Sequence, residues 1–124
     1  MGKRKSLPYD RDGGAVVIQR RLLTSHAYVA LRPQEKALLH LLQVHWRHGE
    51  PVAFGVREAM RLIPCSKSTA IRSFDVLQES GFIELVDESV FCSRTMSKAR
   101  TWRLTWMPWN FKAPTNEWEN SDAA

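Results

Sequence analysis

The sequence predicts an α+β domain in which helices come first and a β-hairpin comes last, and three patterns predict it. Apolar residues recur at helical spacings over residues 31–48 and again over residues 56–80, as they do in helices with one buried face. Residues 101–106 alternate strictly, with Trp102, Leu104 and Trp106 on one side and Thr101, Arg103 and Thr105 on the other, the pattern of a half-buried strand. The chain has 124 residues, 44% of them hydrophobic, which suffices for one packed core without disulfide or metal support.

In chain order, residues 2–14 read as a mobile basic arm and residues 15–18 as a β-prone edge segment. Thr24 or Ser25 can cap a short helix running through Tyr28 and Leu31. The clearest helix covers residues 31–48. Pro33 suits a first helical position because its missing N–H would be unpaired there anyway, and Glu35 adds negative charge to the first turn. Ala37, Leu38, Leu41, Leu42, Val44 and Trp46 form its apolar face, and Gly49 stops it. Residues 56–63 place Val56, Ala59, Met60 and Ile63 on one face; Pro64 ends that helix because the residue before a proline avoids helical geometry. Ser66 caps the next helix, residues 67–80, whose buried stripe is Ala70, Phe74 and Leu77 and which Gly81 terminates. Residues 82–86 form a strand, and residues 87–100 a long connection to the strand at 101–106.

Lys and Arg number 18 against 13 Asp and Glu, a net charge of +5 and a pI near 9.6. A basic surface attracts polyanions whatever the fold. The charge also divides the chain: residues 1–24 hold six basic and two acidic side chains, residues 25–110 eleven and eight, and residues 111–124 one and three. The predicted organisation is a basic arm over 1–24, the folded domain over 25–110 and an acidic extension over 111–124. Pro8, Tyr9 and Asp10 follow the basic start where an export signal would have an apolar run, and no stretch is apolar enough to cross a bilayer, so no membrane partner is expected. Cys65 and Cys92 match no framework or metal spacing. A cytoplasmic, nucleoid-associated location with reduced thiols is expected.

Catalytic chemistry is not visible in the sequence. His45 and His48 share a helical face, but no third ligand lies at metal spacing from them or from His26 and His40. There is no glycine-rich phosphate loop and no nucleophile elbow, and the adjacent Asp87 and Glu88 point apart. Neither enzyme activity nor a cofactor nor a metal is expected.

The tight break between helices 56–63 and 67–80 has the spacing of a helix-turn-helix, and the hairpin after it gives the winged arrangement. Residues 57–83 resemble the core of winged helix-turn-helix DNA-binding proteins. The likeness lies in the small apolar pair of the first helix, in the hydroxyl start of the second at Ser66, and in the closing Leu77, Gly81, Phe82 and Ile83. Residues 99–106 resemble the second wing strand of small winged-helix proteins from phages and bacterial mobile elements. The chain departs from the family at Pro64, where a glycine usually supplies a left-handed backbone that proline cannot adopt. Cys65 stands where a Val or Ile usually plugs the turn, and reads as a small buried apolar residue.

The resemblance implies that the second helix enters a major groove with its N-terminal residues toward base edges. Lys67, Ser68, Thr69, Ile71 and Arg72 are its exposed first turns. The arginine and lysine can reach guanine or phosphate, the hydroxyls phosphate or base, and Ile71 a thymine methyl. In the hairpin Arg94, Lys98, Arg100 and Arg103 occur with no acidic residue between positions 89 and 106, as a phosphate-tracking wing requires. Lys3, Arg4 and Lys5 of the arm can lie in a minor groove. The function expected is that of a sequence-specific double-stranded DNA-binding protein regulating transcription in a phage or mobile element, as a homodimer because one recognition helix covers few base pairs. Two alternatives remain open. One is a replication or excision accessory factor. The other is a winged-helix protein-interaction module, such as an inhibitor of a host defence complex, whose contact is Trp109, Trp118 and the acidic end. Trp102 and Trp106 are expected to seal the core.

Overall fold

Residues 9–109 and 112–119 are described by the computed structural model, and they form an α+β fold. The helices are α1 (Arg20–Leu23), α2 (His26–Val29), α3 (Pro33–Val44), α4 (Val56–Leu62) and α5 (Lys67–Glu79). The strands β1 (Val52–Ala53), β2 (Ile83–Cys92) and β3 (Ser97–Leu104) make an antiparallel sheet in the order β1-β3-β2. Lys3, Arg4 and Lys5 of the basic arm lie outside the described residues.

Helix α3 begins as its sequence dictates. Pro33 opens it, and the Glu35 carboxylate accepts the Arg32 backbone N–H at 3.0 Å, which explains how a glutamate can be buried there. The helix ends at Val44, before the expected His48. The N–H groups of His45 and Trp46 turn to the carbonyls of Leu42 and Gln43 at 3.2 and 3.1 Å, closing a tight last turn. Trp46 therefore packs from a loop, its indole N–H donating to the Pro108 carbonyl at 3.2 Å.

The expected short helix near Tyr28 is α2, a single turn capped by Ser25 that stops at Val29, before the expected Leu31, and an unexpected turn, α1, precedes it. Ser25 separates α1 from α2, accepting the Tyr28 N–H at 3.2 Å and donating to the Leu22 carbonyl at 2.7 Å. Residues 15–18, expected as an edge strand, are not one. The Val17 carbonyl takes its hydrogen bond from the Gln43 side chain, and the sheet edge is occupied by β1, with Val52 opposite Trp102 and Ala53 opposite Thr101.

The connection expected over residues 87–100 is mostly strand. Pairing continues through Val90 with Ala99, Phe91 with Lys98 and Cys92 with Ser97, and Met96 takes the left-handed position of the turn with φ 54°. Register shifts on either side of Asp87 interrupt the ladder. Such bulges bend the strand and break the alternation from which a strand is recognised.

Leu38, Leu39 and Leu42 of α3, Phe74 and Leu77 of α5, and Phe54, Phe82, Trp102, Leu104 and Trp106 fill the core. Residues outside the expected 25–110 domain belong to it as well. Leu22 is fully buried, and Trp118 is only 2% exposed, lying parallel to Phe82 at 6.0 Å between ring centres. The Asn116 N–H donates to the Thr105 carbonyl at 2.8 Å, and Arg21 bonds Glu119. The expectation that Trp118 serves an outside partner is corrected: its indole is buried against the domain, stacked on the Phe82 ring that Trp106 meets edge-on at 6.2 Å.

This packing leaves no room beside Gly81. Its φ is +84°, and an added Cβ would stand 2.7 Å from the Glu117 carbonyl oxygen and 2.9 Å from the Trp118 nitrogen. Gly81→Ala is expected to cost about 1–3 kcal/mol for the left-handed backbone alone, with further loss from displacing residues 117–118. A denaturant midpoint unchanged from wild type would contradict the packing.

Candidate nucleic-acid interface

Helix α4 stops at Ile63, and the turn through Pro64 and Cys65 leads directly into α5. No residue of this turn has a positive φ, so the chain passes it in backbone conformations open to proline, and glycine's freedom is not required. Cys65 is half-buried against the core. Ser66 caps α5, its Oγ accepting the Thr69 N–H at 3.2 Å and donating to Thr69 Oγ1 at 2.9 Å.

Beyond the cap, the helix sorts its side chains by angle. At about 100° per residue, Lys67, Ile71, Ser68 and Arg72 share one arc, and all four are exposed. Ala70, Ser73, Phe74 and Leu77 face the core. Thr69 lies between the two sets, half-buried and tied to the cap, which leaves it least free of the five expected contact residues. Lys67 and Arg72 make no ion pair among the described residues. Asp75 and Glu79 are exposed later along the same arc, so the cationic part of the surface is the N-terminal half of α5.

The hairpin divides its four expected cations into two pairs. Lys98 and Arg100 are exposed and make no ion pair among the described residues. Arg94 and Arg103 are engaged by the fold, against expectation, Arg94 from an exposed position and Arg103 from a largely covered one. The Arg94 guanidinium bonds the buried Glu58 carboxylate of α4, donates to the Ala53 carbonyl at 2.6 Å and lies 5.9 Å from the centre of the Phe54 ring. A buried carboxylate needs a partner of this kind. His45 Nε2 is 3.9 Å from the same carboxylate. Burial is the main cause lowering the His45 pKa and the charge of Arg94 adds to it, so a neutral imidazole leaves Glu58 to the arginine.

Arg103 is covered because both faces of β3 are covered. Thr101 and Thr105, expected toward solvent, are buried, and the Arg103 side chain keeps only 13% of its surface. Its guanidinium lies over Trp109 at 5.1 Å and 4.0 Å from the carboxylate of Glu84. Trp109 is half-buried by this contact. Glu84 also meets Glu117: burial, then the hydrogen bond and charge of that second carboxyl, raise its pKa, and Arg103 only partly opposes them.

Arg57 and Arg61 join the exposed cations without having been expected. They stand one turn apart on α4 and make no ion pair among the described residues. The start of α4 lies beside the basic part of β3: the Phe54 N–H donates to the Arg100 carbonyl at 3.0 Å, and a Cβ at Gly55 would be 3.6 Å from that of Ala99. Their signal in the sequence was the arginine pair at i and i+4, next to the apolar face of Val56, Ala59, Met60 and Ile63.

The other polar clusters are spent internally. His40 shares a hydrogen bond of 3.1 Å with the Tyr28 hydroxyl, and His48 one of 3.1 Å with Tyr9. Among the described residues no group of His, Cys, Asp and Glu can hold a metal ion, and no helix is long and apolar enough to cross a membrane. No family model, curated protein or solved structure matches this chain.

Two outcomes test these assignments. Arg94→Ala leaves the Glu58 carboxylate without its guanidinium and is expected to destabilise the fold by about 1–3 kcal/mol. Lys98→Ala, at an exposed and unpaired position, should change stability by no more than about 0.5 kcal/mol; equal losses in thermal melts would remove the distinction between the two. For Glu84 the folded pKa is raised, so its contribution to stability is fully present below the ordinary glutamate value of 4.5 and is lost as pH rises through the raised value. Glu84→Gln should therefore be more stable than wild type at neutral pH and show no gain under acid, which melting temperature against pH will read.

Proposed function

We propose that the chain is a winged helix-turn-helix protein that binds double-stranded DNA and regulates transcription in a phage or mobile element. The helix pair is α4 and α5, and the wing is the β2–β3 hairpin. One observation carries the reading: the first two turns of α5 expose Lys67, Ser68, Ile71 and Arg72 on one arc, with neither cation engaged in an ion pair among the described residues. That end of the helix is the one such motifs direct at base edges.

In this reading Arg72 and Lys67 address guanine edges or nearby phosphates, and Ile71 addresses a thymine methyl. Ser68 and Thr69 approach the backbone. Lys98 and Arg100 on the wing, with Arg57 and Arg61 on α4, neutralise phosphates and fix the register without reading sequence. Arg94 and Arg103 act on the fold, holding the hairpin to α4 and to Trp109. A homodimer on a two-fold site and a location with the nucleoid are parts of the same proposal. No catalytic role is included in it. A replication or excision factor would use the same contacts and differ in where its site lies.

A second reading, a protein-interaction module, is favoured by a different surface from the one first expected. Val86, Phe91 and Met96 of the hairpin are 43%, 61% and 74% exposed, apolar side chains to which the DNA reading assigns no contact.

Selection of bound fragments from random duplex DNA, followed by titration at several salt concentrations, tests the proposal. Arg72→Ala is expected to cost about 1–3 kcal/mol on the preferred site and to relax its sequence preference. Lys98→Ala and Arg100→Ala should weaken all duplexes alike and each reduce the salt slope by about 1. Absence of binding at low salt would reject the DNA reading, and a protein complex lost on Phe91→Ser but untouched by Arg72→Ala would favour the second.

A further inference from the structure

The loop ahead of α1 and the loop after α3 enclose a cavity of about 290 Å³, to which α5, β2 and β3 contribute no lining residue. It is open, and its wall mixes polar and apolar side chains, the valines being the exposed apolar part. Val16, Val17 and Val44 are 48%, 37% and 54% exposed, and all three line it. Beside them Tyr9, Trp46 and His48 form one cluster, with 4.9 Å between the ring centres of Tyr9 and Trp46, 5.3 Å between those of Trp46 and His48 and 5.2 Å between those of Tyr9 and His48. Gathering several exposed valines around one hollow is unfavourable in water and favours a ligand that covers them.

The wall is braced from behind. The Gln43 amide donates to the Val17 carbonyl and accepts the Trp106 indole N–H at 3.0 Å, so the loop is tied to the core before any ligand arrives. Little ordering is then left to oppose binding.

The charge at the cavity is cationic. Arg11 and Arg47 line it, are exposed and make no ion pair among the described residues. Asp10 is the acid of the lining, and its carboxylate already accepts the backbone N–H groups of Asp12 and Gly14 at 3.3 and 3.0 Å. Two guanidiniums beside an aromatic and valine wall suit a flat apolar body that ends in an anion.

We infer that this cavity binds a small planar aromatic anion, its ring against Trp46 and the valines and its carboxylate or phosphate on Arg11 and Arg47. The volume lies at the lower limit of ligand pockets, about 300 Å³ and upward, and so admits a ring system of one or two fused rings. None of the residues proposed to face DNA takes part, so ligand binding and DNA binding can fail separately.

The test is an NMR titration of the full chain with 2-naphthoate, 2-naphthyl phosphate and neutral 2-naphthamide, following the Trp46 indole N–H and the methyls of Val16, Val17 and Val44. The anions should give saturable shifts at these groups, the tighter of the two identifying the preferred anionic group, and the amide should bind about tenfold more weakly or worse. Arg11→Gln combined with Arg47→Gln changes only exposed, unpaired side chains; it should lower affinity for the anions about tenfold and leave the amide unchanged. No saturable shift with either anion, equal affinity for the amide, or shifts unaffected by the double variant would each overturn the inference.

Discussion

The indole of Trp102 lies flat against Phe74 of α5, 5.2 Å between ring centres and 16° from parallel, while its N–H donates to the Phe54 carbonyl at 3.1 Å. Phe54 sits between β1 and α4, so one side chain of the central strand touches the second helix of the pair and the entry to the first. Its backbone is opposite Val52 on one side and Leu85 on the other. An aromatic pair contributes about 0.5–1.5 kcal/mol beyond the area it buries, but its greater effect here is positional. The angle at which α5 presents Lys67 and Arg72, and the place at which β3 presents Lys98 and Arg100, are both set against the same ring. A change in this stack would alter the relation of two surfaces that share no direct contact between their charged side chains.

The fate of the hairpin cations follows from what lies within their reach. Arg94 and Arg103 each find a carboxylate and an aromatic face, Glu58 with Phe54 and Glu84 with Trp109. A planar guanidinium can use both at once, and it sheds water more readily than an ammonium does. Lys98 and Arg100 have no such pair of partners and remain in solvent. The basic composition of the hairpin is therefore partly structural, and a count of its positive charges overstates what it can offer an anion.

Helices α3, α4 and α5 of the α+β fold were legible because their information is local: Pro33 and Glu35 at the start of α3, Ser66 at the start of α5, and the stripe of Ala70, Phe74 and Leu77 each act within a turn or two of chain. Lys67, Ser68, Ile71 and Arg72 were legible as an exposed set for the same reason, being what remains when the stripe is removed. Tertiary covering was not legible. The alternation of β3 assigns Thr101, Arg103 and Thr105 to solvent, yet its central place in the sheet and the return of residues 112–119 bury that side too. Two residues of β1 carry no periodicity to detect, and the bulges around Asp87 conceal the length of β2. Trp118, set among polar neighbours, gives no local sign of the Phe82 ring it meets.

Gly81 bears on the order in which the protein can be completed. A ribosome releases α3, the helix pair and the hairpin before Trp118, and until that indole arrives Phe82 lacks its stacked partner. The bond between Arg21 and Glu119 then joins positions 98 residues apart. Contacts that distant must offset a loop-closure entropy that local helices never meet. Closure thus comes late in chain order, when residues 117–118 are laid across a glycine whose missing side chain is the space they occupy.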